Sequence, residues 1–101
     1  MIYKFQILEA ADQDIAEAIL QYEDFRKGLS EDFELCLEEG YDDILNAPFG
    51  YQIRYRDVRI KFIRRFPYGI HYTVEDDLIT VISVFHQSRS PRKWFKRLKE
   101  K

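Results

Sequence analysis

YQIRYRDVRIKFIRRFPYGIHYTVEDDLITVISVFH, residues 51–86, is the stretch where apolar side chains recur every second position. Within it YQIRYRD, VRIKFIRR, GIHYTVE and LITVISVFH read as four strands joined by short connections, with Asp76-Asp77 as a tight turn between the last two. LITVISVFH (78–86) carries Ile79, Val81 and Phe85 on one parity and Ile82 and Val84 on the other, so it has apolar groups for both faces of a sheet. That places it centrally.

Toward the N-terminus the period lengthens. Asp12 is a plausible cap for a helix whose stripe is Ile15, Ala18, Ile19, Tyr22 and Phe25, ended by Gly28. A second helix follows, with Leu29, Phe33, Cys36, Leu37, Ile44 and Leu45 inside and a fringe of carboxylates outside, and Asn46-Ala47-Pro48 stops it. IYKFQIL (2–8) alternates as a first strand does. At the other end PRKWFKRLKEK opens on a proline suited to a first helical turn and sets Trp94, Phe95 and Leu98 at helical spacing among basic residues. The expected architecture is α+β, one domain over residues 1–101 in the order β-α-α-β-β-β-β. A helical hairpin packs on one face of a mostly antiparallel sheet, and a short basic C-terminal helix or tail completes the chain.

The 101 residues are 46% hydrophobic and 16% aromatic, enough for a core, and their formal net charge is only −2. Residues 1–48 nevertheless hold thirteen acidic against three basic side chains, and residues 49–101 thirteen basic against five acidic. Such a split points to a surface for a polyanion or an acidic partner. Cys36 is alone, which excludes an intrachain disulfide, and no Cys/His spacing suggests a metal. The start lacks the features of a secretory signal, and no run of about 18 apolar residues occurs. The expectation is a cytoplasmic protein with no cofactor, no metal and no membrane partner.

Strand parity sorts the side chains further. Tyr51, Ile53, Tyr55, Val58, Ile60, Phe62, Ile70, Tyr72 and Val74 can face the hairpin, which leaves Gln52, Arg54, Arg56, Arg59, Lys61, Arg65, His71 and Thr73 for the opposite face. With Arg89, Arg92 and Trp94 arriving from the basic end, Arg54, Arg56 and Arg65 are candidates for a cationic binding surface. Strand arginines also commonly lie over neighbouring aromatics and pair with carboxylates, a purely structural use. Trp94 shares the spacing of Phe95 and Leu98, a packing pattern, and Cys36 sits on an apolar stripe as a buried thiol.

The ordered set Asp14-Ile15, Ala18-Ile19, Tyr22, Phe33, Leu37, Ile44, Pro48, Val58-Arg59, RFPY (65–68), Ile70, Tyr72 and VISVFHQSRSPRKW (81–94) resembles the RelE/ParE superfamily of bacterial type II toxins. The resemblance covers nearly the whole chain. It implies a growth-arresting, plasmid-stabilising toxin neutralised by a cognate antitoxin, whose helix and adjoining extended stretch would lie across the hairpin and a sheet edge. It also implies one of two targets. ParE-like members inhibit DNA gyrase. RelE-like members cut messenger RNA on the ribosome without a metal, using cations to stabilise charge and a tyrosine or histidine to move protons.

For the ribonuclease, the resemblance assigns catalytic roles to Arg59, Lys61, His86 and Arg89. It departs at two positions: Gly69 stands where an arginine is wanted and Trp94 where a tyrosine is wanted. The HQSRSPRKW ending is more similar to ParE-type members, so the gyrase reading is preferred. A nonspecific nucleic-acid-binding module is a third reading. It ranks last because the net balance is acidic and no exposed-looking aromatics interleave with Arg54, Arg56 and Arg59.

Overall fold

The computed structural model describes residues 2–100. In chain order it contains β1 (Lys4–Ile7), α1 (Glu9–Phe25), α2 (Leu29–Asn46), β2 (Ile53–Tyr55), β3 (Val58–Phe62), β4 (Tyr68–Glu75), β5 (Leu78–His86) and α3 (Pro91–Glu100). The strands form one sheet in the order β1-β5-β4-β3-β2, with β1 parallel to β5 and the other pairs antiparallel. This is the α+β architecture expected from the periodicity.

Helix α1 begins three residues before the expected cap. Leu8 holds the extended cap conformation, and Glu9 and Asp12 lie in the first turn, where their charge meets the unpaired N–H groups of the helix start. Between the helices Gly28 adopts φ 88°, a left-handed conformation that costs glycine little. Glu23 fastens this turn by accepting from Gly28 N–H and from Ser30 Oγ, and those hydrogen bonds hold its carboxyl below the usual range. Phe25 and Leu45 were expected inside. Each falls in the last turn of its helix and stays in solvent, Phe25 at 82% exposure.

The sheet carries an apolar layer on each face. On the hairpin side Ala11, Ala18, Phe33, Leu37 and Ile44 meet Ile70, Tyr72, Ile79, Val81 and Val84. On the other side Tyr55, Val58, Ile60 and Ile82 lie under Trp94 and Leu98 of α3 and against Leu8. The expected bare cationic face is therefore largely covered by α3. Two non-local features cause the difference. First, β3 pairs Ile60 with His71 and Arg59 with Tyr72, and directly opposed residues share a face. Val58 and Ile60 consequently turn away from the hairpin, although Ile70 and Tyr72 face it as expected. Second, the β4–β5 register shifts after His71, where Ile82 is the extra residue. Such a bulge reverses the facing of the residues beyond it. Val84 thus joins Val81 on the hairpin side, and Phe85 turns to meet His71.

Candidate functional site

Pairing between β1 and β5 ends at Ile7↔Val81, but β5 runs on to His86, so its later backbone groups have no strand on that side. Two side chains take the strand's place. Asp14 of α1 accepts from Val84 N–H at 3.0 Å, and Arg97 of α3 donates to the Ile82 carbonyl at 3.1 Å. Arg97 also grips Asp14 with two bonds of 2.8 and 2.9 Å and lies over the Phe85 ring at 4.8 Å. This ion pair ties α1 and α3 together across the open edge of β5. Neither residue's pairing was foreseen. The signal was available, because Ala11, Asp14 and Ala18 share one helical face, and a carboxylate in such a buried row needs a partner.

Immediately beyond β5 the chain turns sharply. Arg89 N–H donates to the His86 carbonyl and Gln87 N–H to the Pro67 carbonyl, both short enough to set the turn before Pro91 opens α3. The turn forms one wall of a cleft of about 470 Å³ lined by Glu17, Tyr68, His86, Ser88, Arg89 and Lys93, among others. His86 Nδ1 accepts from Ser88 N–H at 3.0 Å, which puts the neutral ring's proton on Nε2. The Tyr68 ring meets the His86 imidazole edge-on, with centroids 5.3 Å apart. Burial raises the Tyr68 phenol's pKa against the opposing pull of Arg89, so it remains a donor near neutral pH. Arg89 rests over Phe85 at 4.7 Å. Arg89, Lys93, the Tyr68 phenol and the His86 imidazole thus share one opening with two carboxylates, Glu17 and the Arg97-paired Asp14, and the two cations are the groups there suited to a phosphate or carboxylate.

The other sequence-derived candidates scatter. Arg59 donates to the Phe49 and Tyr51 carbonyls and so holds the α2–β2 connection, and Lys61 pairs with Asp43 at 3.4 Å. Arg65 pairs with Asp32 at 3.5 Å, again on the hairpin side. Arg54 and Arg56 project beside α3 instead, over the Phe62 and Phe95 rings. Arg92 is exposed on α3, whereas Trp94 is half-buried against Tyr55 and His71. Of the four ribonuclease candidates, only His86 and Arg89 come together. His71, placed in the exposed set by parity, is 2% exposed and bonded to the Tyr55 hydroxyl at 2.7 Å. Cys36 is buried as expected. Among the described residues no helix is long and apolar enough to cross a membrane.

A five-stranded sheet backed by an acidic helical hairpin, with Arg89 and Lys93 at a cleft where its longest strand gives way to a basic helix, defines a small α+β domain of mixed-sheet type. The model of the ParE toxin of type II toxin–antitoxin systems, parDE, matches residues 5–91, and the chain belongs to that family. Among solved structures it is similar to a chain of the chromosomal ParDE TA system from P. aeruginosa. The TM-score is 0.75 at 12% identity, over 84% of this chain and 96% of that one. A comparison with curated proteins found no match. The family match stops at the first residue of α3.

Proposed function

We propose that this toxin arrests growth by binding DNA gyrase through the cleft at the β5–α3 junction, without cleaving nucleic acid. The observation that carries this reading is the space at Gly69. A Cβ there would stand 2.7 Å from Ile60 Cγ2 and 3.3 Å from the Phe62 ring, so the arginine of the ribonuclease pattern has no room beside β3. Three further positions of that pattern point the same way, since Arg59 is engaged by loop carbonyls, Lys61 by Asp43, and Trp94 by packing, which leaves only His86 and Arg89 of the set together in the cleft. In a gyrase supercoiling assay on relaxed plasmid, wild-type protein is expected to inhibit and the Arg89→Glu/Lys93→Glu variant to lose about ten-fold or more in potency, through reversed charge at the contact. Undiminished supercoiling, together with cleavage inside translated codons after induction, would overturn the proposal in favour of the ribosome-dependent ribonuclease.

A cognate antitoxin would neutralise the protein from the hairpin side. Leu20 of α1 and Leu35 of α2 are 67% and 61% exposed, and they stand among the hairpin's carboxylates. An amphipathic helix with apolar anchors and basic flanks fits that surface. Leu20→Glu/Leu35→Glu is expected to weaken antitoxin binding at least ten-fold in a calorimetric titration while toxicity is retained, because apolar anchors dominate such interfaces. Unchanged affinity would move the seat elsewhere.

A further inference from the structure

On the face of the sheet that α3 covers, two aromatic rings remain partly open, each beneath a guanidinium. Phe62 is 42% exposed under Arg54, and Phe95 is 39% exposed under Arg56, both with 5.7 Å from Cζ to ring centroid. They lie on one surface. Phe62 shares the parity of Ile60 on β3, and Phe95 meets Tyr55, of the same apolar layer as Ile60, at 5.5 Å. Neither arginine pairs with a carboxylate among the described residues, in contrast to Lys61, Arg64 and Arg65 on the hairpin side. A groove of about 490 Å³ adjoins Phe95, with Leu98 and the ring as apolar wall, Arg56 and Lys99 as cations, and Asp57 as an acceptor.

From this arrangement we infer that the β2–β3 hairpin, out to Phe62 at the end of β3, and the outer side of α3 form a binding surface for single-stranded nucleic acid. Unpaired bases would stack on the Arg54 and Arg56 guanidinium planes and against the open parts of Phe62 and Phe95 beneath them, and phosphates would reach Lys99 and the guanidinium edges. Single strands fit because their bases present free flat faces, which a duplex keeps stacked inside. Exposed rings capped by planar guanidinium groups offer stacking to any base and carry no sequence code. An acidic peptide would engage the cations alone, and Asp57 repels its carboxylates just as it repels phosphates. A base brings amino groups that Asp57 can accept from. Read from sequence, nucleic-acid binding ranks last for its acidic net balance and for want of exposed aromatics near these arginines, and Phe62 and Phe95 answer the second objection. The surface shares no side chain with the gyrase-binding cleft, so the two proposals stand or fall separately.

The test uses the full purified chain without gyrase, and fluorescence anisotropy of a short labelled oligodeoxycytidylate. The expected result is binding that weakens with added salt, as displaced counterions require. Phe95→Leu, which keeps an apolar side chain on α3, and Arg56→Ala should each lower affinity about ten-fold, as should an abasic strand of the same length. Oligocytidylate RNA, run in parallel, identifies the sugar: equal affinity places the contacts on bases and phosphates, and a preference names the natural strand. No binding at low salt by protein with a native circular dichroism spectrum would overturn the inference. So would equal affinity for the abasic strand, for polyglutamate or for the Phe95→Leu variant.

Discussion

Arg97→Ala is expected to lower the unfolding free energy by about 3–5 kcal/mol, because it strands the Asp14 carboxylate in a buried site without its counter-charge. The Asp14 side chain is 8% exposed and that of Arg97 15%, so water screens the pair little. A domain of this size has a total stability of about 5–15 kcal/mol, which makes the loss a large share of it. In urea the midpoint should fall with little change in slope, and the melting temperature should drop by more than roughly 10 °C. Arg97→Lys restores the charge but not the paired geometry, and should recover only part of the loss. Asp14→Asn keeps an acceptor for Val84 N–H and removes the buried negative charge, so it should cost less than Arg97→Ala. A loss below about 1 kcal/mol for Arg97→Ala would mean that the pair behaves as a solvated surface bridge.

Acidification should destabilise the protein through His71 well before the carboxylates titrate. Its ring is packed against Phe85 and Trp94 at centroid distances of 5.2 Å, and Nδ1 faces the Tyr55 hydroxyl. Burial, reinforced by the Arg97 charge, lowers its pKa to about 3. In the unfolded chain the same group titrates near ~6.5. Above that pH neither state binds the proton, so the site's contribution to stability is fully present. Between the two values only the unfolded state binds it, and stability falls by up to about 1.4 kcal/mol per pH unit. From pH ~6.5 to ~4.5 the expected loss is about 2–3 kcal/mol. Urea unfolding across that range should show the slope in the wild type and a much flatter line in His71→Gln. A wild-type stability that stays level down to pH ~5 would show that the imidazole is reached by water or protonated in place.

The order of elements was legible because each depends on local periodicity. Residues 78–86 match β5 at both ends, and α2 begins at Leu29 where the apolar stripe starts. Facing was legible only where a single strand was considered alone. Ile70 and Tyr72 were placed correctly, but Val58 and Ile60 were not, since their side of the sheet depends on which residue of β4 stands opposite. Of the candidate site residues, Arg89 and the alternative proton carrier His86 were named from sequence, and both line the cleft. The Asp14–Arg97 pair joins residues 83 positions apart, and no local pattern reports such a contact. His71 shows the same limit. Alternation with Ile70 and Tyr72 suggests solvent, yet α3 returns over that face and seals it.

By itself the sequence determined the strands, the helices and their class, because hydrogen-bond geometry imposes periods of 2 and 3.6 that side-chain polarity must match. It also determined the charge split between the acidic first half and the basic second. Tertiary structure alone decided which cations meet a carboxylate and which lie over aromatic rings. Lys61, Arg64 and Arg65 turn toward the carboxylates of α2, whereas Arg54 and Arg56 lie over aromatic rings beside α3. The physical reason is that a one-residue bulge and a cross-strand register each set the side of a sheet on which a side chain emerges. Both are fixed by pairing between strands, which no single strand encodes.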